Sequence, residues 1–372
     1  MQAVRGSRAR LKLLTCAESM TAEHKIITLR RPQRVDLPAA WKPVMSVYGR
    51  ILALMLMAAP VGAFAGDCVE TGCLGESCCE EGACGLLGGP GLLDGLGSGL
   101  VSDDKLLGIF AHSDPCFNDF ISPMTNPVFF EDPRTLTEAR FIFLDHQLPN
   151  ALGGDHVQVW AMQARLALTE NLSIIATKDG YIVSDSPLLN DGFADVSAGL
   201  KYNIYKDVEN QVIASVGATY EIPIGTDRAL QGNGDGEFHL FASAGAELWQ
   251  GAHWVTGSGF RLPANRAAEN QMWYWSNHID QQLGQSGIYL FHETNWYHYI
   301  SSSGAFGAPI GGGDLFNLGS VGMAGENMVT GAYGVKYKPA DNMEVGVAYE
   351  IPYSSRKDLL EDRINVNFIV RF

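Results

Sequence analysis

The last nine residues of the chain, 364–372, alternate between one apolar series and one mostly polar series. The apolar series is Ile364, Val366, Phe368, Val370 and Phe372, and the other is Asn365, Asn367, Ile369 and Arg371. A period of two is that of a β-strand with one apolar and one polar face. The closing strand of an outer-membrane barrel commonly ends on an aromatic residue that the insertion machinery reads. We therefore predict a terminal barrel strand with its insertion signal at Phe372, Val370 and Phe368. The alternative is an amphipathic edge strand of an ordinary sheet.

The composition restricts the classes of protein that remain. No apolar run beyond the N-terminal region reaches the roughly 18 residues that a membrane helix needs, so a membrane protein with this sequence is a barrel or a peripheral protein. Acidic residues outnumber basic ones, 41 to 26, and no basic stripe is present to neutralise phosphates. We therefore expect no nucleic-acid partner.

The region 45–65 has the three parts of an export signal. A short polar lead-in ends at Arg50, an apolar core covers 51–59, and Ala63-Phe64-Ala65 offers small residues for cleavage. This pattern predicts Sec-type export with cleavage near Ala65. Residues 1–44 do not suit a signal peptide, and we interpret them as a non-native N-terminal extension. A genuine long leader is the alternative.

The region 66–134 is rich in cysteine and glycine and forms a separate segment. Its six cysteines are Cys68, Cys73, Cys78, Cys79, Cys84 and Cys116. An even number of cysteines in an exported chain predicts disulfides, although six cysteines allow 15 pairings and the sequence selects none of them. The C-x4-C spacing suits zinc poorly, so we expect no metal and no cofactor. We interpret the segment as a periplasmic tether or as a plug.

From residue 135 to 372 the chain consists of alternating segments separated by turn residues. We predict about twelve strands, at 137–147, 155–168, 172–184, 193–206, 210–223, 237–249, 252–263, 270–283, 286–299, 329–338, 342–352 and 362–372. Most of them are longer than the 5–6 residues that are usual in soluble proteins, and a tilted membrane strand needs about 9–11. The predicted fold is all-β, a closed antiparallel up-and-down transmembrane β-barrel.

Two neighbouring segments show the faces of these strands most clearly. Their apolar series are Val196, Ala198, Leu200, Tyr202, Ile204 and then Val212, Ala214, Val216, Ala218, Tyr220, Ile222. The intervening residues are mostly polar, charged or small. A charge on the lipid face costs about 2–4 kcal/mol near the midplane of the membrane, so this separation fits a barrel. Segments 172–184 and 270–283 mix charged and apolar residues, and their faces stay unassigned.

The connections alternate between short and long. Short turns at 170–171, 250–251, 284–285 and 339–341 alternate with longer loops at 148–154, 185–192, 224–236, 264–269, 300–328 and 353–361. Short periplasmic turns and long extracellular loops are typical of outer-membrane barrels. Aromatic residues favour the strand ends, as in interfacial girdles: Tyr202, Tyr205, Tyr220, Trp249, Trp254, Tyr299, Tyr337, Tyr349 and Tyr353. These features predict a protein of the bacterial outer membrane, in contact with the lipid bilayer and the insertion machinery.

One hairpin resembles a known family. It consists of Gly192-Phe193-Ala194-Asp195-Val196-Ser197-Ala198-Gly199-Leu200-Lys201-Tyr202 and of Ser215-Val216-Gly217-Ala218-Thr219-Tyr220-Glu221-Ile222-Pro223-Ile224-Gly225-Thr226. This is similar to the G-x-x-D-x-x-x-x-x-K-Y hairpin and P-x-G-T/S loop of the outer-membrane family linked with meta-pathway phenol degradation. The resemblance covers about residues 135–372 and implies a porin-like transporter. The cysteine-rich segment departs from the family pattern, and a phenol substrate is not carried over.

Charged residues on the inward faces are the candidate functional residues. We predict that the following line the pore: Arg140, Arg165, Asp195, Lys201, Glu221, Glu247, Lys336, Glu350, Arg363 and Arg371. In a selective pore, such rings set the field that a solute experiences. The excess of acidic residues suggests a weak preference for cations. Passive passage of small solutes is the main hypothesis, and a structural or plugged envelope barrel is the alternative.

An enzymatic function is not expected. Ser276, His278 and Asp280 share one strand face, but no nucleophile motif accompanies them, and a hydrolase needs its Ser and His within hydrogen-bond reach. A barrel-embedded lipid hydrolase is therefore the less favoured alternative. His292 and His298 are six positions apart, which does not match the helical i, i+4 pair of a zinc protease. The solute and the oligomeric state are not determined by the sequence.

Overall fold

The computed structural model describes residues 101–102 and 105–372, and these form a closed barrel of twelve antiparallel strands. Strands β1 to β6 are Glu138–Gln147, His156–Ala167, Leu172–Lys178 continued by Tyr181–Ser184, Gly192–Phe193 continued by Val196–Asp207, Val212–Ile222 and Glu237–Trp249. Strands β7 to β12 are Ala252–Pro263, Met272–Gln282, Ile288–Tyr299, Asn327–Ala340, Met343–Pro352 and Asp362–Arg371. The predicted strands and fold class are confirmed. The predicted extension 1–44 and signal 45–65 lie outside the described residues.

The barrel closes because its last strand pairs with its first. The β12–β1 ladder runs antiparallel from Asp362 opposite Gln147 to Arg371 opposite Glu138. The other ladders join strands that are neighbours in sequence. Closure leaves no open sheet edge, which is required in hydrocarbon because unpaired backbone groups find no water there.

The alternation of faces is confirmed along the closing strand. Ile364 is exposed on the outer surface, while Asn365 and Arg371 are buried on the inner one. The same division holds in β4, where Leu200 points outward and Lys201 inward. The period of two seen in the sequence therefore separates a lipid-facing surface from an interior.

The two segments whose faces the sequence left open are now assigned. In β3 the register shifts between Ala176 and Lys178, so that Thr177 and Lys178 are both buried. This bulge takes the Lys178 ammonium into the lumen. In β8 the buried residues are Met272, Tyr274, Ser276, His278 and Asp280. Its tryptophans therefore face outward and its charged residues inward.

Tryptophan indoles on the outer surface donate hydrogen bonds to hydroxyl groups of the neighbouring strand. The indole N–H of Trp275 donates to Thr256 Oγ1 at 2.9 Å, and that of Trp273 donates to Ser258 Oγ at 2.9 Å. Trp273 also packs edge-on against Trp296, with ring centroids 5.1 Å apart. The predicted girdle position of Tyr299 is wrong: this ring is buried inside the barrel, since its strand position falls on the inward face.

The connections divide the barrel into a short-turn end and a long-loop end. At the short-turn end, Phe372 N–H donates to Thr137 O at 2.9 Å, and Ser113 N–H donates to Phe372 O at 2.8 Å. The first and last barrel strands therefore meet there. The longest connection, residues 300–326, lies at the opposite end, between β9 and β10. No helix among the described residues has the length and apolar character of a membrane span.

Candidate functional site: the lumen and its two occupants

The lumen is occupied by the stretch that precedes the first strand. Residues 111–137, here called the inner segment, enter from the short-turn end. Phe117, Phe120, Ile121 and Phe130 are buried with at most 1% of their surface exposed. Phe120 packs on the ring of His253 from the wall, with centroids 4.5 Å apart. The inner segment is thus packed into the barrel as a core.

Wall side chains hold the inner segment mainly through its backbone carbonyls. Arg140 donates to Pro123 O at 2.7 Å, and Tyr274 donates through its hydroxyl to Phe129 O at 2.7 Å. Further contacts of this kind are Lys336 to Ser122 O, Gln163 to Pro127 O, Lys201 to Asp132 O, Ser215 to Pro133 O and Lys338 to Asn118 O. Buried carbonyls need such donors, because water does not reach them.

Glu293 supplies the matching acceptor for backbone amides. Its carboxylate accepts from Met124 N–H at 2.7 Å and Thr125 N–H at 2.6 Å, and also from the Thr125 hydroxyl. On the wall side, His278 Nδ1 lies 2.7 Å from the same carboxylate, and His278 Nε2 lies 3.0 Å from Asp280. A buried chain of polar groups therefore links the inner segment to the wall.

Glu131 places a carboxylate on two cationic groups of the wall. Arg165 donates to it through two nitrogens, at 2.8 and 2.6 Å, and Lys201 Nζ lies 2.9 Å away. Burial alone raises the pKa of Glu131, but Arg165 and Lys201 outweigh it and lower the pKa to about 2. The carboxylate is therefore charged at neutral pH, and Arg165 is shared with the wall residue Glu138 at 3.3 Å.

The long loop, residues 300–326, fills the other half of the lumen. The Asn317 side chain reaches four wall groups. Its amide nitrogen donates to Asp195 at 2.8 Å and to Glu221, and its oxygen accepts from Lys178 at 3.0 Å and Arg261 at 3.3 Å. One amide side chain thus lies between two wall carboxylates and two wall cations.

A second contact of the long loop repeats the pairing of carboxylate and arginine. Asp314 accepts from two nitrogens of Arg363 at 3.0 and 3.1 Å. Arg363 also contacts Glu350 of the wall, at 2.7 Å. Arg363 therefore keeps a wall counter-charge that does not depend on the loop.

Glu269, in the loop after β7, lies beside the same cluster. Burial raises its pKa to about 8; Glu237 and Glu221 add to the rise, and Arg261 opposes it. Its Oε2 atom has no hydrogen-bond partner among the described residues and lies 3.8 Å from Arg261. The long-loop end therefore holds more carboxylates than its cations neutralise.

The predicted pore residues can now be placed. Nine are buried on the inner face: Arg140, Arg165, Asp195, Lys201, Glu221, Lys336, Glu350, Arg363 and Arg371. Glu247 is partly buried near the short turn after β6, where it accepts from Gly251 N–H at 3.3 Å. In this conformation these residues contact the occupants or one another, and their lining of an open path stays a prediction.

Small cavities lie beside the occupants. One of about 30 Å³ lies between Val128, Leu315 and Gln163, and one of about 10 Å³ lies beside Asp314 and Arg363. A water molecule needs roughly 10–15 Å³ measured in this way, so each cavity holds a few waters at most. Neither has room for a solute.

The hairpin that resembles a known family has a structural role at the long-loop end. Asp195 accepts from Gly225 N–H at 2.7 Å and from Gly232 N–H at 2.9 Å. Thr226 accepts through its hydroxyl from Phe193 N–H at 3.0 Å. Asp195 from the first strand of the hairpin and Gly225-Thr226 from the loop after the second strand are therefore bonded to each other's segments.

The remaining candidates are placed as follows. Ser276 is buried in the lumen, where its hydroxyl accepts from the Asn126 amide at 2.9 Å, so it does not face the lipid on which a barrel-embedded hydrolase would act. Phe372 is exposed at the short-turn end, and its role in insertion stays a prediction. Cys116 lies in the 3-10 turn Pro115–Phe117, where its N–H donates to Asp114 at 3.0 Å, and its disulfide stays a prediction. The other five cysteines lie outside the described residues, so the pairing stays a prediction.

The sequence did not reveal the groups by which the occupants are held. Glu131, Asp314, Asn317 and Glu293 were not among the candidates. The signal available was the run Glu131 to Arg134, which is charged within an aromatic and proline-rich stretch. Charged residues in such surroundings indicate burial with a partner.

Comparison with known proteins gives likeness in structure alone. No protein-family model and no curated protein matches the sequence. The NanC porin matches with a TM-score of 0.41 and 7% identity, covering 63% of this chain and 98% of that one. The KdgM porin gives 0.40 and 8%, covering 63% and 99%. An outer-membrane channel from Pseudomonas putida gives 0.44 and 10%, covering 68% and 100%.

Proposed function

We propose that the protein is a porin-like channel of the bacterial outer membrane, through which small solutes pass by diffusion. The observation that carries the proposal is a closed twelve-strand barrel that is apolar outside and charged inside. Only helices and closed barrels satisfy their backbone groups in hydrocarbon. A charged interior of this kind serves a water-filled path better than it serves a sealed core.

The two ends of the barrel support an orientation. Short turns, the barrel termini and the inner segment share one end, as in barrels whose short turns face the periplasm. The long loop then faces outward. In this orientation the inner segment enters from the periplasm, on the side to which an exported tether leads, as proposed for residues 66–134 after cleavage near Ala65.

Neither occupant belongs to the wall of the barrel. The inner segment and the long loop both contribute backbone and side chains to the lumen but no strand to the closed sheet. Eight-stranded barrels are filled by their own wall side chains, whereas barrels of 16–18 strands leave an aqueous channel. A twelve-strand barrel lies between them, so removal of the occupants leaves a path for small molecules.

The structural alternative is a barrel that stays plugged. It is favoured by the many buried polar contacts of the inner segment, such as those of Glu131 and Glu293. In that case the barrel anchors the segment to the envelope and passes nothing. The two functions differ in one measurable property, the conductance of the folded protein.

A finer assignment concerns the family. The hairpin from Gly192 to Thr226 supports membership of the family linked with meta-pathway phenol degradation. For function, this resemblance implies porin-like transport. Phenol as the solute is left out, because no group in the described lumen is specific for it.

The test is conductance of the full chain in planar bilayers, beside a variant in which Asp119 to Glu131 is replaced by a short glycine–serine linker. We expect brief small steps from the unaltered chain and sustained larger steps from the variant. Heat-modifiable gel migration checks that both barrels are folded. If neither folded protein conducts, the channel function is contradicted and the plugged barrel is supported.

A further inference from the structure

The short-turn half of the lumen has one basic and one acidic side. The basic residues lie on β1, β2, β4, β10 and β12: Arg140, Arg165, Lys201, Lys336, Lys338 and Arg371. Two carboxylates lie among them, Glu138 and Glu344. The facing wall carries Glu247, Asp280 and Glu293, together with His253 and His278. An anion in this half of the lumen is therefore drawn to one side.

The inner segment matches this division of charge. Its Glu131 carboxylate lies on the basic side, against Arg165 and Lys201. Its amide groups at Met124 and Thr125 lie on the acidic side, against Glu293. The basic side thus accepts a carboxylate of the segment, and its own Glu344 lies 3.9 Å from the segment's Arg134.

The groups around Glu131 form a complete carboxylate site. Arg165 contacts both oxygens through Nε and NH2, in the fork geometry that suits a carboxylate, and Lys201 contacts one of them. Both cationic side chains are buried, with 1% of each exposed. Arg140 is also buried, and no ion pair of the described residues includes it. Without Glu131, these cations have Glu138 as their nearby wall counter-charge.

The long loop repeats the arrangement at the other end. Asp314 lies on Arg363 through two contacts, as Glu131 lies on Arg165. Both occupants therefore place a carboxylate of this chain on a wall arginine. Arg165 at the short-turn end and Arg363 at the long-loop end thus each bind a carboxylate of an occupant.

We propose that Arg165 and Lys201 are the binding site for carboxylate solutes in the open channel, and that Glu131 occupies it when the channel is closed. The inference depends on the proposed channel function for its physiological meaning but not for the existence of the site. It also reverses the weak preference for cations expected from the composition, because the excess acid lies elsewhere in the chain. Solutes that carry a carboxylate compete with the inner segment for the same two groups.

Chemical rescue tests the site directly. Glu131→Ala removes the carboxylate and leaves room for formate, whereas Glu131→Gln removes the charge and fills the space. We expect the Ala variant to lose its heat-modifiable migration at a lower temperature than the unaltered chain in sodium chloride. Sodium formate at equal ionic strength should restore most of that loss. The Gln variant and the unaltered chain should show no comparable gain.

Permeation gives the second measurement. In a potassium chloride gradient, the current through Glu131→Ala channels should reverse at a voltage close to the equilibrium potential of chloride. Adding Lys201→Met should lower the ratio of anion to cation permeability several-fold. If formate restores the stability of Glu131→Ala but no variant conducts, the carboxylate site stands and the channel function is contradicted. If the channels conduct while formate stabilises the Glu131→Ala variant no more than chloride does, or while the current is carried by cations, the carboxylate site is contradicted. Either result leaves the channel function standing.

Discussion

The inner segment and the long loop fill the same lumen but are held in different ways. The inner segment is held by wall side chains that bind its backbone, as Arg140 binds Pro123 O and Glu293 binds two amides. The backbone of the long loop is also bound, by Arg261, Gln231 and Asn270, but its closer contacts with charged wall residues are made by its own side chains, Asp314 and Asn317. The inner segment therefore depends mainly on side chains of the wall, with Glu131 as its own contribution, whereas the long loop depends as much on two side chains of its own.

This difference determines where a substitution acts. Backbone groups are the same for every residue, so most changes within the inner segment leave its bonds to the wall intact. Loss of one wall acceptor, in contrast, leaves several buried donors without partners. The long loop should respond in addition to changes in two of its own residues, Asp314 and Asn317.

The largest effect is expected for Glu293→Ala. The change leaves the amides of Met124 and Thr125 and the Thr125 hydroxyl without their acceptor. Each buried donor without a partner costs about 1–3 kcal/mol, so retention of the inner segment should weaken by more than about 3 kcal/mol. Limited proteolysis of the folded protein should then cleave the inner segment, residues 111–137, much faster. Thr125→Val, which removes the hydroxyl alone, is the matched control; equal rates for the two variants would contradict a segment held by its backbone.

The next effect is expected for Asn317→Ala in the long loop. Its amide lies between Asp195, Glu221, Lys178 and Arg261, and alanine leaves all four without this partner. We expect a loss of about 1–3 kcal/mol in loop retention, because the wall groups still pair with one another. Cleavage within residues 300–326 should become faster while the inner segment stays protected. Simultaneous release of both occupants would show that they are not held separately.

A smaller effect is expected for Asp314→Asn. Arg363 keeps Glu350, so the buried guanidinium does not lose its last counter-charge. The loss should be about 1.5 kcal/mol, at the lower end of the range for a hydrogen bond to a charged group. Glu131→Gln at the other occupant should cost more, because Lys201 has no wall carboxylate in ion-pair contact among the described residues. Denaturation midpoints of the two variants in one detergent give the ranking, and the reverse order would count against it.

The effect of Glu269→Gln depends on pH: it should be smallest in acid, where the carboxyl is protonated in both the folded and the unfolded state, and should grow as the pH rises. Burial raises the pKa of Glu269 from 4.5 to about 8, so the folded state binds this proton more tightly than the unfolded state. Its contribution to stability is fully present below the unfolded pKa and is lost as the pH rises through the folded one. Glutamine is neutral at every pH, so the variant should lose less stability than the unaltered chain over this window. Migration midpoints measured as a function of pH check this, and parallel curves would refute the shift.

The sequence by itself determined the barrel. Twelve strands, the faces of all but 172–184 and 270–283, and the alternation of short and long connections follow from local patterns, because lipid accepts one face of a strand and the pleat repeats every two residues. Leu200 and Lys201, or Ile364 and Asn365, need no knowledge of distant residues to be placed on opposite surfaces. The pattern was insufficient where the backbone departs from it, as at the β3 bulge that turns Lys178 inward.

Only the tertiary structure decided what fills the barrel. Glu131 meets Arg165 and Lys201 across 34 and 70 residues of chain, and Asn317 meets Asp195 across 122. Such contacts depend on strand register and on the paths of two irregular segments through the lumen, and neither has a local period in the sequence. The alternation of polar residues predicts that a charge faces inward, whereas its partner is set by which groups closure of the sheet brings within a few ångströms.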